Sequence, residues 1–110
     1  MSEVVCVLVT ASGLEEARKL ARVLLSEHLA ACVNLVEGVE SHYWWEGRIE
    51  ASKEVLLVIK TRAALVEDVV ACVRREHSYS VPEVVALPIV SGNADYLRWL
   101  LVETGASRLT

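Results

Sequence analysis

Glu76 and His77 stand side by side where a helical pattern runs out, with Cys72 five residues before His77 and Glu83 six after it. An imidazole nitrogen, carboxylate oxygens and a thiol are the donors from which a transition-metal site is built. His77 offers one nitrogen, Glu76 and Glu83 offer oxygen, and Cys72 is the one thiol placed to reach His77. One imidazole with two carboxylates makes a weak, unselective site unless a neighbouring subunit adds ligands. The alternative for His77 is structural. A residue just past a helix C-terminus faces the carbonyl end of the helix dipole.

A second constellation joins Tyr43, Trp45, Lys60, Tyr79 and Glu83. Aromatic walls with one ammonium and one carboxylate would suit an intersubunit cleft for a small ligand. Pro82 holds Val81 extended and aims Glu83. The same residues could instead bury a hairpin and tie off its polar ends, with Lys60 and Glu83 as an ion pair. No nucleophile elbow, phosphate loop or metal triad accompanies them, so the expectation is a protein that is not an enzyme. The alternative is a small-molecule enzyme with Glu83 as base and Lys60 as electrostatic stabiliser.

The elements that must position these residues follow from periodicity. "VVCVLV" (4–9) is apolar at every position and reads as a strand buried on both faces. Ser12 followed by Glu15 forms a capping box, and Ala17, Leu20, Ala21, Leu24 and Leu25 make one apolar stripe of a helix. Residues 30–45 and 48–61 are strand-like, joined by a tight Glu46-Gly47 turn, with Gly38 as a bulge. Thr61 caps a second helix that runs to about Glu76. "EVVALPIV" (83–90) is a fourth strand, and a third helix opens at Gly92 or Asn93 and ends near Gly105. The order β-α-β-β-α-β-α is an α+β, ferredoxin-like plan with an added C-terminal helix, a single domain over 1–110. Pro88 suits the fourth strand to a sheet edge beside the first.

Composition bounds the partners. The chain is 54% hydrophobic with a formal net charge of −4 and no basic stripe, which argues against nucleic acid. An RNA-binding domain of the same plan would need exposed aromatics in a basic strand, and "EVLLVIKT" has none. No apolar run is long enough to span a membrane. Cys6, Cys32 and Cys72 are odd in number and never paired as C-x-x-C, as expected of reduced thiols in a cytoplasmic protein. Cys6 and Cys32 are expected to be small core residues, His28 a helix-end residue and His42 a hairpin surface residue.

Half of the six aromatic residues, Tyr43, Trp44 and Trp45, crowd against the Glu46-Gly47 turn. Arms of 14–16 residues at roughly 3.4 Å each would be about 50 Å long, against a domain about 35 Å across. The hairpin should overshoot its own core. Three strands are also apolar on both sides, while crossover helices cover only one face. Neighbouring copies of the chain would cover both surfaces. In a monomer, the third helix, with Trp99, Leu100 and Leu101, would have to fold back over the open face.

Five blocks, "LAACVN" (29–34), "SHYWWEGRIE" (41–50), "VIKT" (58–61), "HSYSVPEVVALPI" (77–89) and "GNADYLRWL" (92–100), together resemble the CutA family of divalent-cation tolerance proteins. The resemblance spans about residues 3–104. It implies a ferredoxin-like subunit in a compact homotrimer with inward-facing sheets, similar in architecture to the trimeric PII signalling proteins. It also implies a cytoplasmic setting and a role tied to copper and other divalent cations, with no established reaction. This chain departs from the family pattern at two places. His77-Ser78-Tyr79 stands where the family usually has His-Pro-Tyr. Val9 and Glu76 stand where other members offer a Cys and a second His as proposed metal ligands, so that only His77 is kept, with Glu76 as a possible oxygen ligand.

Overall fold

A computed structural model of the chain describes residues 3–105. Strand β1 (Val4–Ala11) is followed by helix α1 (Leu14–Ser26), then by β2 (Cys32–Trp45) and β3 (Arg48–Arg62). Helix α2 (Val66–Glu76), strand β4 (Val85–Pro88) and helix α3 (Ala94–Glu103) complete the order. All neighbouring strands are antiparallel, in the order β2-β3-β1-β4. This is the ferredoxin-like arrangement read from the sequence. Pro88 pairs with Val5 on the outer strand β4, where a residue without an N–H leaves no inner ladder unsatisfied.

Strand alternation sorts the apolar residues onto two faces. Val5, Val7, Val9 and Ala11 of β1 and Val55, Leu57 and Ile59 of β3 pack against Ala17, Leu20 and Leu24 of α1 and Val69, Cys72 and Val73 of α2. The opposite face carries Cys6, Leu8, Leu56 and Val58 and is covered only at one end. There Arg62 donates to the Leu101 carbonyl and, at 3.1 Å, to Thr104 Oγ1, while Leu100 is fully buried. Helix α3 therefore folds back, but over a limited part of the sheet.

The hairpin has the expected geometry. Glu46 and Gly47 both have positive φ, 50° and 80°, as a two-residue type I′ turn requires. Its register slips between Val36 and Val39, where Gly38 sits at φ 79°. The molecule measures 45 × 27 × 22 Å, and the hairpin runs on past the end of β1, whose pairing with β3 stops at Ala11 and Val55. Trp44 and Ile49 near the tip are 71% and 66% exposed.

Four local expectations are corrected. Ser12 bonds to Glu16, not Glu15, through both its N–H and its hydroxyl. Thr61 is a buried residue of β3 whose Oγ1 donates to the Leu29 carbonyl at 2.7 Å, and α2 starts only after a short 3-10 turn at Ala63–Leu65. The strand expected over 83–90 is confined to Val85–Pro88. Cys6 and Cys32 are half-buried on the sheet face away from the core, whereas Cys72 is the buried thiol. Its helical position, three residues after Val69, turns it inward. His28 ends α1 in the left-handed region (φ 56°), and exposed His42 pairs with Glu40 at 2.7 Å.

Thr61→Val keeps shape and removes one donor. It should cost about 1–3 kcal/mol in urea unfolding, because the Leu29 carbonyl loses its buried partner. A loss below about 0.5 kcal/mol would mean that this bond does not hold the loop before β2 to the sheet.

Candidate functional site

The site grows from the C-terminal end of α2. His77 caps that helix with an extended backbone, its N–H donating to the Val73 carbonyl at 2.9 Å. Its side chain is wholly buried, and both ring nitrogens are engaged. Nε2–H donates to the Thr10 carbonyl at 2.7 Å, and Nδ1 accepts from the Tyr79 N–H at 3.0 Å. The ring thus ties the last turn of α2 to the end of β1 and fixes the backbone of the following loop. The Tyr79 ring packs on it with centroids 4.5 Å apart.

Glu16 of α1 secures the same loop. Its Oε2 accepts the Ser78 N–H at 2.8 Å, and Oε1 accepts from Ser12 N–H and Oγ at 3.0 and 2.9 Å. Burial pushes this carboxyl up, but the hydrogen bonds from Ser12 and Ser78 outweigh it and bring its pKa down to about 2. The Ser78 N–H that a proline would lack is therefore used. Tyr79 is aimed across the sheet end, its hydroxyl donating to Glu54 Oε2 at 2.8 Å. Burial, and then the bond to Glu54, push the Tyr79 phenol well above its ordinary value.

Between this loop and the hairpin lies a cavity of about 520 Å³. Thr10 lines it from β1, Ser41, Tyr43 and Trp45 from β2, Glu50 and Glu54 from β3, and Tyr79, Ser80, Val81 and Glu83 from the loop. The bulge decides which side of β2 faces it. Val36 opposes Leu56 and Val39 opposes Glu54, so two residues, Glu37 and Gly38, lie between successive partners on one face. Without that extra residue the pleat would turn Glu40, His42 and Trp44 towards the cleft and Tyr43 and Trp45 away from it.

Four of the five expected cleft residues, Tyr43, Trp45, Tyr79 and Glu83, line this one cavity. Lys60 does not. It shares the face of Glu54 but lies six residues along β3, about 20 Å at strand rise, where its Nζ donates to Asn34. No Lys60–Glu83 ion pair forms, because period-two alternation sets the face and not the distance. Glu54, Glu50, Ser41, Thr10 and Glu16 were not among the expected residues. The one signal for Glu54 is a carboxylate entering the apolar run "EVLLVI".

The proposed metal donors are scattered by their bonds. Glu76 bonds to Arg75 at 2.9 Å and Lys19 at 3.5 Å, and the Arg75 bond lowers its pKa. Cys72 Sγ accepts from Arg75 at 3.6 Å, and burial, then the charge of Glu27, raises its thiol. Among the described residues no three His, Cys, Asp or Glu side chains gather as a metal set. With both nitrogens of His77 committed, these residues do not fit a resident copper centre.

The family model for the CutA1 divalent ion tolerance protein matches residues 5–103. Protein CutA 1, chloroplastic, from Oryza sativa subsp. japonica is 48% identical over 103 residues, covering 94% of this chain and 58% of that protein. The divalent-cation tolerance protein CutA of Thermus thermophilus is 46% identical over 105 residues, covering 96% of this chain and all of that one. A solved structure of the periplasmic divalent cation tolerance protein CutA from Archaeoglobus fulgidus superposes with a TM-score of 0.90 at 38% identity, over 93% of this chain and 99% of that one. The chain spans somewhat more than half the length of the plant relatives, 58% and 53%.

The Glu16 cluster carries a pH signature. A carboxyl lowered from 4.5 to about 2 stabilises the fold above pH 4.5 and loses that effect as pH falls towards 2. Glu16→Gln should lower stability near neutral pH, with the gap to the unsubstituted protein closing between pH 4.5 and 2 in urea titrations. A gap constant over that range would rule out the ionised carboxylate as the holder of the Ser78 loop.

Proposed function

The chain belongs to the CutA1 divalent ion tolerance family, and from that premise we propose a non-catalytic, cytoplasmic module that works as a homotrimer and binds a small ligand at the cleft between hairpin and loop. The observation that carries the assembly is surface left without a cover. Val36, Val85 and Leu87 are about half exposed beside Leu8, Leu56 and Val58, and the hairpin tip holds Trp44 and Ile49 in solvent. The sheet face and the hairpin tip, on opposite sides of β3, are two exposed apolar surfaces, each a liability for a monomer. Copies of the chain supply a closed, symmetric cover. The separation of Lys60 from Glu83 favours binding over catalysis, since the expected base and its electrostatic partner do not meet. Three free cysteines fit a reducing compartment. Among the described residues no helix is long and apolar enough to cross a membrane. Light scattering at micromolar concentration should return three times the chain mass of 12.1 kDa, and a species of one chain mass would overturn the trimer.

Copper is a secondary part of the proposal. Binding at His77 has to break the Tyr79 N–H bond to Nδ1 or the Nε2–H bond to Thr10. Orphaning such a partner costs about 1–3 kcal/mol, which keeps any Cu(II) site weak. Calorimetry should give affinity no tighter than about micromolar for Cu(II), reduced in His77→Ala, with no metal required for folding. Nanomolar binding, or equal binding by both proteins, would place the copper ligands elsewhere.

A further inference from the structure

The cleft lining has an unbalanced chemistry. Three carboxylates, Glu50, Glu54 and Glu83, face a cavity that also has three aromatic walls, Tyr43, Trp45 and Tyr79. Among the described residues of this chain, no Lys, Arg or His lines it. The ammonium expected there, Lys60, is held by Asn34 at the far end of β3. The remaining polar side chains are hydroxyls. Tyr79 spends its proton on Glu54 Oε2, so towards any further partner its hydroxyl can only accept. The site is thus rich in acceptors and negative charge, with π faces beside them.

We propose that this cleft binds an organic cation of the guanidinium class. This rests on the reading of the cleft as a small-ligand site and adds the ligand's charge and shape. A guanidinium carries only donors, in a planar fork that matches a carboxylate and stacks flat on an aromatic ring. A cation over Trp or Tyr gains from the ring quadrupole, more so when partly desolvated. Each of these properties answers one feature of the lining. An anion meets three like charges from this chain there. A bare divalent cation meets no gathered set of three His, Cys, Asp or Glu donors among the described residues. The volume, about 520 Å³, suits a ligand of several heavy atoms beyond the guanidinium itself. Glu54 is nearly buried and already oriented by Tyr79, so one anchor is in place before the ligand arrives. Glu50 is half-buried and Glu83 exposed, so both are open to solvent.

The probes are agmatine, which joins a guanidinium to an ammonium through a short alkyl chain, and glutarate, a flexible dianion. Calorimetry at low salt on the assembled protein should show saturable agmatine binding and none for glutarate. Glu83→Gln and Glu50→Gln should each weaken agmatine by about tenfold, the loss of one charge-assisted contact, with the assembly mass unchanged by light scattering. Agmatine binding that is equal in all three proteins would place its site elsewhere and overturn the inference. Glutarate binding in place of agmatine would overturn the cation class but leave the small-ligand cleft standing. Silence from both probes would overturn both readings. Failure of agmatine together with Cu(II) or Mn(II) binding that depends on Glu83 would make the cleft a metal site instead.

Discussion

One mismatch of length governs this protein: β3 has 15 residues and its inner neighbour β1 has eight. Their pairing ends at Ala11 opposite Val55. Beyond it, from Val39 and Glu54 to the turn, β2 and β3 pair only with each other. A two-stranded ribbon is marginal by itself in water. It needs support from its turn, its side chains and something packed against it. The type I′ turn supplies the first. The Tyr43 hydroxyl, 3.2 Å from Ser52 Oγ, supplies a small part of the second. The third is what makes the end of β1 functional, because the loop after α2 comes to rest where the ribbon leaves the sheet.

That loop is held by two groups with opposite histories in the sequence. His77 invites a reading as a metal ligand, yet its burial and its two hydrogen bonds make it a clamp between β1, α2 and Tyr79. Glu16 attracts no attention in a surface-helix pattern, yet it gathers the Ser12 and Ser78 backbone donors. A buried imidazole bonded at both nitrogens orients its neighbours, and a carboxylate that accepts several N–H groups is favoured in its charged form. Together they aim Tyr79 at Glu54, which gives the cleft a floor that does not depend on a ligand to order it.

The sheet's second face follows from the same economy of elements. Two crossover helices pack on one side over the length of β1, and α3 reaches only the end of the other side marked by Arg62 and Leu100. Leu8, Leu56 and Val58 stay apolar over the uncovered part, as do the half-exposed Val85 and Leu87 at the edge. Apolar residues on a face that the helices cover only in part are the physical ground on which another copy is proposed there. Cys6 and Cys32 belong to this face and not to the core, so their small size serves a surface and not the interior.

The order of elements, the edge position of β4, the tight turn at Glu46-Gly47, the bulge at Gly38 and the Ala17, Leu20 and Leu24 part of the α1 stripe are legible in the chain, whereas Leu25, counted in that stripe, is exposed; each legible feature depends on residues within a few positions of one another. Alternation, helical spacing and turn chemistry are local rules. The cleft was legible in part for the same reason: Tyr43, Trp45, Tyr79 and Glu83 lie beside the turn or the proline that orients them. Lys60 was misplaced because alternation gives its face and not its distance along the strand. Cys72, His77 and Glu76 were grouped by nearness in sequence, but the end of α2 sends each to a different set of partners. Glu54 and Glu16 do not stand out in the sequence as site residues, because a carboxylate's worth depends on which donors arrive from elsewhere in the chain. Local sequence determined the elements and the direction of most side chains. Only the tertiary structure decided which charges meet, since Thr10, Glu16, Glu54 and Tyr79 come from four separate elements and acquire their roles by converging.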